Sequence, residues 1–219
     1  MYNKNMFEIA LKNKLISLIA KRNSGKSYLL RYMVKIQKHD FDKIFIICPT
    51  NIINDFYKNI TEKENIFTEY NELWMESLIN KMTDINSRLE DVKRKNVLLI
   101  LDDLVADIRF ASCKSLKLLA IRGRHIGISI IMTSQYINTI PPVIRSNVDY
   151  TIVGNLNRKS LDLLEKESNT NLTRKEFNAL YLTSTKDYGF FCINNTNVKN
   201  VMQLTNLYGI LRTPKDEFQ

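Results

Sequence analysis

Residues 15–34 read LISLIAKRNSGKSYLLRYMV, and this stretch decides which fold the rest of the chain has to fit. An apolar run ends at Ala20, four polar residues follow, and Gly25-Lys26-Ser27 opens a segment with apolar residues at helical spacing. A strand, a short polar loop with Gly-Lys-Ser and a helix form the arrangement in which a loop binds phosphate groups. The alternative is an ordinary turn in which a serine caps the helix.

The predicted loop carries the groups that phosphate binding needs. Backbone N–H groups of residues 23–27 would point at the phosphates, and the amino terminus of the helix adds a partial positive charge. Lys26 would reach the β- and γ-phosphate oxygens, and the Ser27 hydroxyl would bind magnesium. The predicted nucleotide-binding residues are Asn23, Ser24, Gly25, Lys26, Ser27 and Tyr28.

Position 20 departs from the usual phosphate-loop pattern G-x-x-x-x-G-K-[ST], because Ala20 stands in place of the first glycine. If the backbone needs a positive φ there, alanine costs on the order of 1 kcal/mol. Lys21 and Arg22 could add charge near the phosphates or could be solvated basic side chains.

Short β-rich runs alternate with helical patterns, which predicts an α/β fold with a mainly parallel sheet flanked by helices. The predicted strands are residues 15–20, 43–48, 97–101, 126–132 and 149–153, followed by an aromatic strand at 188–193. The predicted helices are residues 27–37, 71–94, 112–121, 158–167 and one after the capping box Thr173-x-x-Glu176.

The longest predicted helix follows from an apolar stripe, and basic residues 93–95 are expected to close it because cations suit a helix carboxyl end. The stripe consists of Leu78, Met82, Ile85, Leu89 and Val92. We expect residues 1–219 to form one domain, with a core at 13–155, a helical and strand extension at 156–212 and a polar tail at 213–219.

An acid pair ends the apolar run LLILDDL, residues 98–104. A buried strand that ends in Asp102-Asp103 exposes carboxylates at the carboxyl edge of the sheet, where ligands bind in open α/β folds. Asp102 would hold magnesium through its water shell, and Asp103 would orient or deprotonate the attacking water. The alternative is an acid pair that caps the following helix.

The segment RGRHIGISIIMTSQ, residues 122–135, predicts a strand between a basic turn and a polar end. If this strand lies beside the first one, Gln135 emerges next to the phosphate loop and the acids. Arg122 and Arg124 then lie at the opposite end, too far away for the same nucleotide. They could serve a neighbouring subunit as an arginine finger, or form a solvated basic turn.

Composition narrows the class of protein. Hydrophobic residues make up 44% of the chain and the formal net charge is +9, which favours a folded protein with a polyanionic partner such as nucleic acid. Three widely spaced cysteines, Cys48, Cys113 and Cys192, predict buried thiols rather than disulfides or a zinc site. No apolar run approaches the ~20 residues of a membrane span and the amino terminus has no secretory segment, so we expect an intracellular protein.

The segments AKRNSGKS, LLILDDL and GRHIGISIIMTSQ, followed by INTIPPVIRSNVDYTIVG, resemble the genome-packaging ATPases of poxviruses, giant viruses and virophages, a branch of the FtsK–HerA superfamily. The likeness spans residues 13–155 with order and spacing intact. It implies a three-layer P-loop NTPase core of the ASCE, RecA-like type, with ATP and Mg²⁺ as cofactors.

The resemblance also implies individual roles. Lys26 matches the Walker A lysine, Asp102 the Walker B aspartate and Gln135 the polar sensor. Arg124, three residues before Gly127, matches the arginine that acts in trans. Most of the superfamily has glutamate where this chain has Asp103, although the poxvirus-type branch often carries an acid pair. Arg145, in the loop PPVIRSN, could contact phosphate, a neighbouring subunit or DNA, so Arg122, Arg124 and Arg145 all remain candidates for the finger.

The expected function is an ATP-hydrolysing motor that translocates double-stranded viral DNA into a preformed capsid. Its expected partners are DNA, further copies in a hexameric or pentameric ring, and capsid or portal proteins; its expected location is the virus factory in the host cytoplasm, and also the virion. The alternatives are a nucleoside or nucleotide kinase and a non-catalytic nucleotide switch or scaffold. The candidate DNA-contacting cations are Lys114, Lys117, Arg158 and Lys159.

Overall fold

The computed structural model of the chain describes residues 9–49, 56–57, 59–103, 113–168, 172–196 and 208–215. Within them, eight strands form one sheet with the order β3-β2-β4-β5-β1-β6-β7-β8. The strands are β1 (Leu15–Ile19), β2 (Lys43–Ile47), β3 (Ile66–Phe67), β4 (Val97–Leu101), β5 (Ile128–Ser134), β6 (Tyr150–Val153), β7 (Phe190–Asn194) and β8 (Tyr208–Leu211).

The first six strands pair in parallel, and the last two extend the sheet in antiparallel pairs. β5 lies between β1 and β4, with Ile19 opposite Ser134 and Leu101 opposite Met132. This order confirms the prediction that the strand before Gln135 lies beside the first strand. The loops that follow β1, β4 and β5 therefore meet at one edge of the sheet.

Helices cover both faces of the sheet. The central strands β1, β4 and β5 are therefore buried along their whole length. Residues of α1 pack into one group of buried side chains, and residues of α2, α3, α5 and α6 pack into a second group. The helices are α1 (Lys26–Gln37), α2 (Glu72–Ser87), α3 (Lys114–Arg122), α4 (Pro142–Arg145), α5 (Arg158–Glu167) and α6 (Arg174–Ser184).

The prediction of one helix over residues 71–94 is wrong at its carboxyl end, because α2 ends at Ser87. The buried Asn86 side chain accepts a hydrogen bond from the Lys95 N–H and donates to the carbonyls of Lys95 and Ile126, at 2.8–2.9 Å. These bonds turn the chain back toward β4. Residues 91–93 form a separate 3₁₀ turn, and Val92, expected in the apolar stripe, is 96% exposed.

The strand predicted at 126–132 lies two residues further along, because residues 123–126 form a 3₁₀ turn and Gly127 has φ 78°. The predicted capping box is confirmed, since Thr173 and Glu176 bond reciprocally at the start of α6. All three cysteines are buried thiols that form no disulfide, as predicted. Thr213, from the predicted tail, is buried, whereas Ser112 and residues 216–219 lie outside the described residues. Among the described helices, none has the length and apolar character needed to cross a membrane.

Candidate nucleotide-binding site

The loop between β1 and α1 is fixed by hydrogen bonds to the neighbouring strand ends. The N–H of Ala20 donates to the Ser134 carbonyl, and the N–H of Lys21 donates to the Asn155 carbonyl, at 3.0 and 2.9 Å. Within the loop, the Ser24 hydroxyl donates to the Lys21 carbonyl. Gly25 has φ 82° immediately before α1, a conformation that side chains disfavour, so the glycine of Gly-Lys-Ser is required by the turn.

Ala20 causes no backbone strain in this loop, because the positive φ values of the loop occur at Asn23 and Gly25. The Ala20 side chain is fully buried. A Cβ placed on Gly154 would lie 2.9 Å from the Ala20 Cβ and 2.8 Å from the Phe190 ring, so Gly154 makes room for the alanine. The methyl group of Ala20, which the usual glycine would lack, is thus part of the core.

A cavity of about 250 Å³ opens above this loop at the carboxyl edge of the sheet. It brings together residues from three separate segments, as predicted from the sequence: the loop and start of α1, the end of β4 and the end of β5. The lining residues are Lys21, Arg22, Asn23, Ser24, Gly25, Lys26, Ser27, Tyr28, Asp103 and Gln135.

Lys26 and Asp103 form an ion pair inside the cavity, with 2.8 Å between Nζ and Oδ1. The lysine side chain is only 8% exposed, whereas the aspartate side chain is 34% exposed. The ammonium group of a nearly buried lysine needs an anionic or polar partner, because leaving it unpaired would be expensive. Asp103 supplies that partner in this structure.

Asp103 adopts a left-handed backbone conformation with φ 53°. Its N–H donates to the Thr133 hydroxyl at 3.0 Å, which anchors the turn to β5. Aspartate enters this region more readily than residues with longer side chains, because its short polar side chain can bond locally. The Gln135 amide nitrogen lies 3.5 Å from Asp103 Oδ2, so the predicted sensor and the predicted base are neighbours.

Asp102 is 7% exposed and lies at the centre of a buried polar network. Its Oδ2 accepts from the Tyr57 hydroxyl at 2.7 Å and from the Cys48 thiol at 3.4 Å. Its Oδ1 accepts from the Thr133 hydroxyl. Three donors on a buried carboxylate offset much of the cost of its burial.

The tyrosine in this network remains a hydrogen-bond donor. Burial, and then the charge of Asp102, raise the pKa of Tyr57 well above its usual value. The phenol keeps its proton, so Asp102 is the acceptor in this pair.

Sequence reasoning missed the roles of Thr133, Tyr57 and Cys48. The Thr133 hydroxyl bonds to both acids, donating to Asp102 and accepting from the N–H of Asp103. Its place two residues before Gln135, on the strand next to β4, could have indicated it. Cys48 follows β2 at the same edge of the sheet, but Tyr57 has no sequence pattern that indicates its contact.

Among the described residues, no group of three or more histidine, cysteine or acidic side chains is placed to hold a metal by itself. Magnesium prefers oxygen ligands and commonly keeps waters and phosphate oxygens in its shell, so one hydroxyl and one or two carboxylates suffice. At this edge the Ser27 hydroxyl and the Asp103 carboxylate line the cavity, and the buried Asp102, next to Asp103 but outside the lining, is a further oxygen donor. This donor set fits a magnesium nucleotide.

The arginines predicted to act in trans lie away from the cavity. Arg122 and Arg124 are exposed before β5, and the length of that strand puts them roughly 20 Å from Gln135. Arg145 is bound within its own chain, where its guanidinium contacts both carboxylate oxygens of Glu167 and the Ile140 carbonyl. Arg145 is therefore held in place by intramolecular bonds, unlike the exposed Arg124.

Solved structures of ATPases share the fold of this chain. The DNA-packaging ATPase B204 of Sulfolobus turreted icosahedral virus superimposes with a TM-score of 0.64 at 18% identity, over 94% of this chain and 100% of that one. The ATPases 2 and 3 of EssC from Geobacillus thermodenitrificans give a TM-score of 0.57 at 16% identity, over 77% and 37% of the two chains. The predicted three-layer P-loop NTPase fold with a mainly parallel sheet is confirmed.

Viral proteins of similar sequence match this chain over only part of their own length. Protein 075L of Invertebrate iridescent virus 6 is 31% identical over 134 residues, which cover 61% of this chain and 51% of that protein. Protein L437 of Acanthamoeba polyphaga mimivirus is 26% identical over 161 residues, covering 68% and 56%. The chain thus spans about half the length of the curated relatives it matches.

The sequence profile of the Poxvirus A32 protein family matches residues 4–205, which is most of the chain. The matched range includes the phosphate loop, the acid pair and Gln135. The chain therefore belongs to the Poxvirus A32 protein family, as its resemblance to the poxvirus-type genome-packaging ATPases predicted.

Proposed function

We propose that this protein is the ATP-hydrolysing motor that packages double-stranded viral DNA into a preformed capsid. The observation that carries the proposal is the cavity in which the buried Lys26 meets Asp103 and Gln135 above a phosphate-type loop. Family membership supports the same reading, as does the fold shared with B204, whose name describes a DNA-packaging ATPase.

Lys26 is the group that would exchange partners when nucleotide binds. In the structure it pairs with Asp103; bound β- and γ-phosphate oxygens would compete for the same ammonium group. Release from Lys26 leaves the Asp103 carboxylate able to accept the proton of an attacking water. Gln135, next to Asp103, would orient that water or sense the γ-phosphate.

Ser27 and Asp102 would hold Mg²⁺, Ser27 through its hydroxyl and Asp102 through bound water. When bound, the ion supplies positive charge that neutralises the phosphate oxygens during phosphoryl transfer. Backbone N–H groups of residues 23–27 would hold the phosphates without rearrangement of the loop backbone, because the carbonyls of Ser134 and Asn155 already fix its start.

The net charge of +9 and the exposed side chains of Lys114, Arg158 and Lys159 support the proposal of DNA translocation. Both α3 and α5 begin on the side of the sheet where the cavity lies, and they carry the candidate cations Lys114, Lys117, Arg158 and Lys159. We propose a hexameric or pentameric ring, capsid or portal proteins as partners, and action in the virus factory of the infected cell.

The test measures phosphate release with and without double-stranded DNA over a range of salt concentrations. We expect DNA to accelerate hydrolysis, most strongly at low salt. Lys26→Ala should lower the rate at least ~100-fold because it removes a charge from the transition state. Lys35→Ala, an exposed lysine on the same helix, is the matched control and should leave hydrolysis unchanged.

Three outcomes separate the alternatives. Hydrolysis that DNA does not accelerate at any salt concentration contradicts the motor. Transfer of phosphate to a nucleoside in place of water supports a kinase. Tight nucleotide binding without turnover supports a switch or scaffold.

A further inference from the structure

We propose that Tyr57 is a positioning residue: its hydroxyl orients the Asp102 carboxylate toward bound magnesium, and Tyr57 itself is not a ligand of the metal. The inference rests on the proposed function, which places the metal at Asp102. The contact that motivates it is the 2.7 Å hydrogen bond from the Tyr57 hydroxyl to Asp102 Oδ2.

The geometry leaves Tyr57 in a single role. Its side chain is 1% exposed, so its hydroxyl cannot exchange Asp102 for bulk water. The Tyr57 hydroxyl donates to Asp102 Oδ2 at 2.7 Å, the shorter of the two bonds that reach this oxygen. A carboxylate with one oxygen held by a fixed donor loses rotational freedom about its χ2 angle.

Aromatic side chains pack between Tyr57 and α1 and hold Tyr57 in place. The Phe56 ring contacts the Tyr57 ring edge to face at 5.1 Å and the Tyr28 ring at 5.9 Å. The Arg31 guanidinium lies 4.8 Å from the centre of the Phe56 ring. Tyr28, in α1, lines the cavity. The Phe56 ring therefore packs both against the helix that follows the phosphate loop and against Tyr57, which holds the Asp102 carboxylate.

The other two donors cannot replace Tyr57. The Cys48 thiol reaches the same oxygen at 3.4 Å, but a thiol is a weak donor. The Thr133 hydroxyl donates to the opposite oxygen. Without the Tyr57 hydroxyl, Oδ2 keeps only the weak bond from Cys48, and Thr133 alone holds the carboxylate firmly, through Oδ1.

The experiment uses Tyr57→Phe, which keeps the ring and removes only the hydroxyl. The probe is Mn²⁺, whose binding is followed by electron paramagnetic resonance in the presence of a non-hydrolysable ATP analogue. Loss of a partner that orients a metal ligand weakens metal binding about 10-fold or more, so we expect a shift of that size. Affinity for the analogue without metal should stay at the wild-type value.

Tyr70→Phe is the matched control, because Tyr70 also donates to a carboxylate, that of Glu72, and does not line the cavity. Both variants should lose some stability, but only Tyr57→Phe should weaken Mn²⁺ binding. Wild-type Mn²⁺ affinity in Tyr57→Phe, with a melting temperature lowered as in Tyr70→Phe, would show that the tyrosine is only structural and overturn the inference.

Asp102→Asn separates this inference from the proposed function. If that variant binds Mn²⁺ as well as the wild type, the metal assignment at Asp102 fails, and the inference falls with it. If Asp102→Asn weakens binding and Tyr57→Phe does not, only the role of Tyr57 is wrong. Should Tyr57→Phe not fold, Phe56→Leu removes the ring that packs against Tyr57 and keeps the hydroxyl; weaker Mn²⁺ binding there supports the inference, and unchanged binding counts against it.

Discussion

At the scale of single residues, the backbone conformation at position 103 suits the aspartate that stands there. Asp103 has φ 53°, and its N–H is bound to the hydroxyl of Thr133. Asparagine and aspartate tolerate this left-handed conformation better than longer side chains do. The turn thus brings a short carboxylate to within 2.8 Å of Lys26.

Two substitutions at this position separate chemistry from conformation. Asp103→Asn keeps a side chain that tolerates the turn but cannot accept a proton and loses the ion pair with Lys26, so we expect a somewhat lower melting temperature and hydrolysis slower by at least ~100-fold. Asp103→Glu should lower the free energy of unfolding by about 1 kcal/mol because of the left-handed backbone. Phosphate release and thermal unfolding of both variants measure these effects; full activity in Asp103→Asn contradicts the proposed base.

Ala20 gives a second prediction at the residue scale. Restoring the usual glycine by Ala20→Gly removes a fully buried methyl group and adds chain flexibility, so the free energy of unfolding should fall by about 1 kcal/mol. We expect no faster hydrolysis, because Ala20 has no positive φ for glycine to relieve. Urea unfolding and phosphate release check the two parts, and a clear gain in hydrolysis would show that alanine hinders the loop.

At the scale of elements, buried side-chain bonds decide where α2 ends. The apolar spacing continues to Val92, and the sequence alone therefore predicts a longer helix. Asn86 ends it, because its buried amide bonds to Lys95 and Ile126 are worth more than the local preference for helix. Gly127 permits this approach, since a Cβ there would lie 2.3 Å from the Lys95 carbonyl oxygen.

Asn86→Ala tests this explanation. The change leaves backbone groups of Lys95 and Ile126 without their partners, so the free energy of unfolding should fall by about 1–3 kcal/mol. Asn80→Ala, at an exposed position of the same helix, is the matched control and should change little. Chemical denaturation of both variants measures the difference, and equal losses would mean that helix propensity, not the amide bonds, dominates.

At the scale of the whole molecule, the parallel sheet separates two groups of charged residues. The cavity with Lys26, Asp103 and Gln135 lies at the carboxyl edge, and Arg124 lies at the amino edge, exposed. One chain cannot bring Arg124 to its own cavity, because β5 lies between them. We propose that Arg124 of a neighbouring copy completes the cavity, which would link hydrolysis to ring assembly in the proposed motor.

Mixed assemblies test the trans contact. Arg124→Ala subunits and Asp102→Ala subunits should each be inactive alone but recover part of the activity when mixed, since each supplies what the other lacks. Chains that carry both substitutions are the control and should not rescue either variant. Arg145→Ala should instead lower the melting temperature, because it breaks the contacts with Glu167 and Ile140. No recovery in rings that have assembled would contradict the role of Arg124.

Sequence by itself determined the parts of this protein that depend on local pattern. The apolar runs, the Gly-Lys-Ser after a strand and the acid pair after another predicted the parallel sheet and brought Lys26, Asp103 and Gln135 to one edge. Strand polarity explains this success, because in a parallel sheet every strand ends on the same side. The capping box at Thr173 is equally local and was predicted from four residues.

Tertiary structure alone decided how the two acids differ. Both follow β4, but Asp102 is held inside by Tyr57, Cys48 and Thr133, whereas Asp103 faces the cavity and pairs with Lys26. It also decided that α2 ends at Ser87 and that Ala20 fits against Gly154. These outcomes depend on contacts between residues far apart in the chain, and such contacts leave no period or spacing in the sequence.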